Sequence, residues 1–235
     1  MSLEAKDPAA HELVPWRRVV AFNRQVSHDV RNVLNAVDLE AAFIAELNSD
    51  PEIAEELKKL RAMVVNLTKT LHEVSSYMGT FSMNPIELEA SLLLRELRER
   101  LAKLHPKGMA EVAWNESLGT ESVRVDVECI SQALREIFEN AFQFQEKGRP
   151  IAFTCRCEGA RHLLLELREG KSSPVPTEEW GTPLFTTRRG GYGLGLFHAS
   201  RVIAAHGGEL KAVYDPGASA LVTRVSLPLT LPPAR

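Results

Sequence analysis

Two stretches in which apolar residues recur three or four apart, Val19 to Leu47 and Ile53 to Met78, constrain this chain more than any other feature. The first runs through Val19, Phe22, Val26, Val30, Val33, Val37, Ala41, Ile44 and Leu47, and the second through Ile53, Leu57, Leu60, Val64, Leu67, Leu71, Val74 and Met78. Such spacing is the apolar seam of a helix packed in a bundle. Between them Asn48-Ser49-Asp50-Pro51 breaks the pattern; Ser49 or Asp50 can cap the second helix and Pro51 suits its first position. The expected unit over 12–80 is an antiparallel helical hairpin. A lone hairpin leaves part of each stripe in water, so two hairpins from two chains should pair into a dimeric four-helix bundle. The alternative is an intramolecular bundle that uses helices further along the chain.

After Gly79 the texture changes, and strand-like and helix-like segments alternate to Pro228. Strands are expected at Ile86 to Glu89, Glu111 to Trp114, Val123 to Val125, Ile151 to Arg156, Leu163 to Leu167, Leu210 to Tyr214 and Leu221 to Leu227. Helices are expected at Ser91 to Leu104, Glu128 to Phe144 and Leu196 to Ala205. Helices gathered on one face of a mixed sheet make an α/β sandwich, here over 85–230, so the fold class is α+β.

Lys and Arg number 28 against 31 Asp and Glu, a net charge of -3, and the basic residues form no long block; nucleic acid is not an expected partner. The three cysteines, Cys129, Cys155 and Cys157, make neither a disulfide framework nor two spaced zinc pairs, and read as reduced cytoplasmic thiols. No apolar run approaches the roughly 20 residues that cross a bilayer, so no membrane segment is expected in this chain.

On the first helix, His28 and Asp29 interrupt the pattern with polar groups, and Arg31, Asn32 and Asn35 share their neighbourhood about one turn on. A histidine nucleophile wants an exposed neutral imidazole beside an acid that orients the ring. A solvated helix face is the plain alternative. The run Val26-Ser27-His28-Asp29-Val30-Arg31-Asn32-Val33-Leu34 resembles the H-box of two-component histidine kinases, with Val33 where that family usually has proline. The resemblance implies that His28 is the phosphorylated residue, Asp29 its general base and Asn32 the residue that positions water for phosphatase activity. His72, on the second helix, is the next acceptor candidate.

The rest of the chain resembles the ATP-binding domain of the same family. The helix from Ser131 to Phe144 is similar to its N-box, which implies that Asn140 holds Mg²⁺ against the nucleotide phosphates; Glu136, one turn earlier, resembles the general base of related ATPases. Gly190-Gly191-Tyr192-Gly193-Leu194-Gly195-Leu196 resembles its G2 box. Glycines let the backbone approach phosphates, and the helix that follows favours negative charge at its start. The resemblance places Gly191, Gly193, Gly195 and, in the preceding Pro183 to Arg188 segment, Arg188 at the nucleotide. Where the family has D-x-G-x-G, this chain reads Glu169-Gly170-Lys171-Ser172-Ser173, so Glu169 stands at the adenine-reading aspartate and Lys171 and Ser173 at the two glycines.

The resemblance spans roughly Phe22 to Pro228. It implies a homodimeric kinase that uses ATP and Mg²⁺ to phosphorylate His28 and passes the phosphoryl group to an aspartate of a response-regulator receiver domain. The altered G1 box keeps open a second reading, a histidine phosphotransferase or scaffold that no longer binds ATP. A chaperone-like ATPase with no phosphohistidine would have no use for the hairpin or for His28.

Overall fold

The computed structural model describes residues 14–159, 161–186 and 191–230, and the chain divides into two compact units, Met1–Phe81 and Ser82–Arg235. The first is a hairpin of two long helices, α1 (Trp16–Leu47) and α2 (Pro51–Met78). Asp50 caps α2 by accepting a hydrogen bond from the Glu52 backbone N–H at 2.8 Å, and Pro51 takes the first helical position, where its missing N–H costs nothing. Of the two capping candidates, Asp50 is the one used.

Inside the hairpin, Ser27, Leu34 and Ala41 of α1, seven residues apart, are buried, as are Val64 and Met78 of α2. Most of the seam expected on α1 lies elsewhere: Phe22, Val26, Val33, Val37, Ile44 and Leu47 are exposed, Phe22 and Leu47 at 71%. This corrects the sequence reading of a single stripe. α1 carries two adjacent stripes, and one hairpin can cover only one of them; on α2 the buried Val64 and Met78 belong to the expected seam. Polar contacts pin the register: the Ser75 hydroxyl donates to Ser27 Oγ at 2.8 Å, and Arg61 donates to Asp38 at 2.8 Å across the hairpin.

The second unit is a seven-stranded sheet with helices. In order it contains β1 (Ile86–Glu89), α3 (Ala90–Leu104), α4 (Pro106–Ala110), β2 (Val112–Ser117), β3 (Ser122–Val125), α5 (Val127–Gln143), β4 (Ile151–Glu158), β5 (His162–Gly170), α6 (Gly195–Ala205), β6 (Glu209–Asp215) and β7 (Ala220–Thr230). The short α4 was not expected from the sequence. It begins at a proline, which favours a first helical turn, but it is too short to show an amphipathic period.

The sheet runs β1-β3-β7-β5-β4-β2, with β6 also paired to β7; β2 and β4 are parallel and all other pairs antiparallel. β7 outruns the expected strand because Leu229 and Thr230 pair with β3 beyond the end of β6. Alternation puts Leu163, Leu165, Leu167 and Glu169 on one face of β5. α5 covers that face: its Phe138 ring lies 5.4 Å from Phe153 and 5.8 Å from Trp114, and Phe153 stands opposite Leu167.

On the other face Glu166 is almost fully buried and binds both Arg168 and Arg224 at 2.6 Å. Burial raises the Glu166 carboxyl, but the two guanidiniums outweigh it and hold the group below its ordinary range. The start of α5 is fixed by Asp126, which accepts from the backbone N–H groups of Cys129 and Asn84, and these bonds hold its carboxyl below the usual range. His206 closes the same corner: Nε2 accepts from the Asp126 N–H at 3.0 Å and Nδ1–H donates to the Val202 carbonyl at 2.7 Å. No helix of the described residues is long and apolar enough to cross a membrane.

Candidate active site

His28 projects from α1 with its side chain 63% exposed, beside Asp29 at 60%. Its Nδ1 lies 3.2 Å from Asp29 Oδ1 and 3.3 Å from Asn32 Nδ2. These neighbours ask for opposite states of the ring. When Nδ1 carries the proton it donates to the carboxylate and Nε2 keeps its lone pair; when Nδ1 is bare it accepts from the Asn32 amide and the proton sits on Nε2. Only the first tautomer presents an outward nucleophile. Gln25, one turn earlier, donates from one amide nitrogen to both Asp29 oxygens at 2.9 and 3.0 Å. The Gln25 bond, then the His28 bond, hold the Asp29 carboxyl below its ordinary range. Gln25 was missed in the sequence, although its spacing of four from Asp29 was a readable signal.

In the second unit the structure places Glu136, Asn140 and Phe144 one turn apart along α5 and just past its end. Asn140 is half-buried. Gly195 opens α6 so close to α5 that a Cβ there would collide with Glu136 Oε2. The Gly193 backbone has a φ of +63°, and a Cβ there would collide with the Phe185 carbonyl; the Leu184 N–H donates to the Gly193 carbonyl at 3.1 Å. Gly193 therefore requires glycine, for its backbone angle and for its approach to backbone atoms, whereas a side chain at Gly195 would displace the Glu136 carboxylate. Gly191 belongs to the same loop, while Arg188 lies outside the described residues. Asn140, Glu136 and the glycine turn at the start of an eleven-residue helix form a set that fits a phosphate group and its metal. Among the described residues no cluster of three His, Cys, Asp or Glu could hold a metal ion.

The base side of the site is built differently. Glu169, at the end of β5, has a side chain 3% exposed, and Lys171 Nζ lies 2.9 Å from its Oε2 with only 5% exposed. The same ammonium donates to the Phe144 carbonyl at 2.8 Å, at the C-terminal end of α5 where the helix dipole favours a cation. Burial pushes the Glu169 carboxyl upward and Lys171 pulls it back, leaving it above its ordinary range. The backbone is held as firmly: the Lys171 N–H donates to the Ser219 carbonyl at 2.8 Å, and the Ser172 N–H to both Glu146 oxygens at 2.9 and 3.1 Å.

Comparison with known proteins gives these features a context. Residues 125–231 match the family described as histidine kinase-, DNA gyrase B-, and HSP90-like ATPase. The adaptive-response sensory kinase SasA of Parasynechococcus marenigrum strain WH8102 is 26% identical over 214 residues, 85% of this chain and 54% of that protein. The sensor histidine kinase ZraS of Salmonella typhimurium is 25% identical over 209 residues, 84% of this chain and 43% of that protein. The chain thus spans about half the length of the curated relatives it matches. Among solved structures, full-length ShkA in complex with AMPPNP superposes with a TM-score of 0.69 at 19% identity, covering 91% of this chain and 47% of that one. The catalytic domain of histidine kinase ThkA superposes with a TM-score of 0.52 at 22% identity, covering 62% of this chain and 96% of that one. These likenesses show the fold: a mixed α+β chain of the histidine-kinase kind.

Proposed function

We propose that this chain is a two-component protein histidine kinase whose phosphoacceptor is His28, since residues 125–231 match the family described as histidine kinase-, DNA gyrase B-, and HSP90-like ATPase and its similar relatives include a sensory kinase and a sensor histidine kinase. The carrying observation is the exposed His28 ring with Nδ1 3.2 Å from Asp29 Oδ1; in the tautomer that donates from Nδ1 to this carboxylate, Nε2 keeps the lone pair that would attack. Nε2 attacks the γ-phosphorus of ATP, the bond from that phosphorus to the β-phosphate oxygen breaks, and ADP leaves. Asp29 stabilises the positive charge that develops on the ring. In the second unit Asn140 would hold Mg²⁺, which neutralises phosphate charge when bound, and the backbone at Gly191, Gly193 and Gly195 would receive the phosphates. Glu136 would serve as the base candidate, and Asn32 would orient water for a separate phosphatase reaction, hydrolysis of the phosphoaspartate on the partner receiver domain. The phosphoryl group then passes from Nε2 to a carboxylate oxygen of a receiver-domain aspartate.

Dimerisation belongs to the same reading. The uncovered stripe of Phe22, Val26, Val33, Val37 and Ile44, with Ile53 and Leu67 on α2, is what a second hairpin would bury. A second reading, phosphoryl relay without ATP, draws specific support from the Glu169–Lys171 ion pair. The test is the source of the label. Incubation with γ-labelled Mg-ATP should place acid-labile, base-stable phosphate on His28 and leave His28→Ala unlabelled. Label arriving on His28 only from a phosphorylated receiver would establish the relay instead.

A further inference from the structure

Where the resemblance puts a glycine, this chain has a lysine whose side chain folds back into the protein. Its ammonium reaches Glu169 at 2.9 Å and the Phe144 carbonyl at 2.8 Å, and both charged side chains are at least 95% removed from solvent. Phe144 lies one turn beyond Asn140, its N–H donating to the Asn140 carbonyl at 3.1 Å. The ion pair therefore closes the base end of the same helix face that carries Glu136 and Asn140. A buried ion pair whose ammonium also donates to the Phe144 carbonyl, on a loop fixed by Ser219 and Glu146, does not open for a weak competitor, because either charge left alone is costly.

We propose that Lys171 is a specificity-determining residue of this site. Its ammonium takes, from within the chain, the place on Glu169 that the amino group of adenine would occupy, so nucleoside triphosphates are held by their phosphates without selection for the base. The proposal rests on the reading of this unit as a nucleotide site. It deepens that reading by assigning the substrate class: triphosphates irrespective of the group at purine position 6. Adenine offers an amino donor there, whereas hypoxanthine offers a carbonyl acceptor that a carboxylate cannot bind.

Calorimetric titration of the full chain with Mg-ATP and Mg-ITP tests the proposal. The wild-type protein should bind the two within about threefold of each other, since the base adds no directed hydrogen bond. Lys171→Ala frees Glu169 and should tighten Mg-ATP about tenfold or more while leaving Mg-ITP unchanged, the loss or gain expected of one hydrogen bond to a charged group. Glu169→Met/Lys171→Met removes both charges together and should return the pair of affinities to parity. A wild-type preference for ATP of tenfold or more overturns the proposal, and that comparison does not depend on either variant folding. Equal tightening of ATP and ITP in Lys171→Ala, or ATP tightening that persists in the double variant, also overturns it, because the effect would then come from a loosened loop. No binding of any triphosphate by any of the three proteins removes the kinase reading itself; base discrimination by the wild type removes only the role of Lys171.

Discussion

His28 sits between a carboxylate that holds Nδ1–H and an amide that favours bare Nδ1, so the chemistry of the ring depends on which neighbour wins. Asn32→Ala should shift the ring toward the Nδ1–H form and Asp29→Asn away from it, and nitrogen-15 chemical shifts of the imidazole read this directly. Equal tautomer populations in wild type and both variants would remove this account of the site. Another histidine gives a pH dependence. Burial, with the Arg201 charge adding to it, lowers the His198 pKa to about 4 from the usual 6.5. A depressed histidine binds protons more readily in the unfolded chain, so stability is full above pH 6.5 and falls as the pH drops toward 4. The loss is on the order of 3 kcal/mol at about 1.4 kcal/mol per pH unit, and chemical denaturation of wild type and His198→Leu across that window should show the slope flattened in the variant. At this scale the sequence displayed the His28–Asp29 pair because the partners are neighbours. Glu169 and Lys171 were visible as departures from a motif, and alternation along a strand puts residues two apart on one side. Their pairing was hidden because it depends on where the end of α5 brings the Phe144 carbonyl.

Among the elements, the helical hairpin shows how far periodicity reads. The three-and-four spacing gave two helices that the structure places at Trp16–Leu47 and Pro51–Met78. It did not tell which stripe packs within the hairpin, because Ser27, a polar residue that a search for apolar positions passes over, occupies the buried position hydrogen-bonded to Ser75. The two stripes should respond differently to mutation. Leu34→Ala, in the stripe inside the hairpin, should cost about 2–4 kcal/mol of stability by leaving a cavity. Val33→Asp, at a position 62% exposed, should leave helix content intact while light scattering shows the dimer falling to monomer; a monomeric wild type, or a Val33→Asp dimer of unchanged affinity, would contradict the four-helix bundle. In the second unit, Asp126→Ala should cost at least the ~1 kcal/mol of a lost helix cap, since the same carboxylate also holds Asn84, as thermal melting would show.

For the whole molecule, the legible part was the division of labour: a helical segment carrying a histidine, followed by alternating strands and helices carrying glycines at a helix start. β6 and β7 are neighbours along the chain and form a hairpin, but the pairing of β7 with β3 and β5 was not legible, since partners so distant along the chain leave no local trace. The first unit carries the exposed His28–Asp29 pair, and the second carries Glu136 and Asn140 on α5, a glycine turn before α6 and a buried Glu169–Lys171 pair, which the proposed function reads as the phosphoacceptor and the nucleotide site. Under the proposed function, phosphate reaches His28 Nε2 from ATP bound by this same chain. Mass spectrometry of the full chain after incubation with Mg-ATP, under basic conditions that preserve phosphohistidine, tests it most directly. The account predicts one phosphoryl group on His28 in wild type, much less in Asn140→Ala, and none in His28→Ala. Phosphate on His72 in place of His28, or an unmodified His28 after Mg-ATP that is readily modified by a phosphorylated receiver, would contradict it.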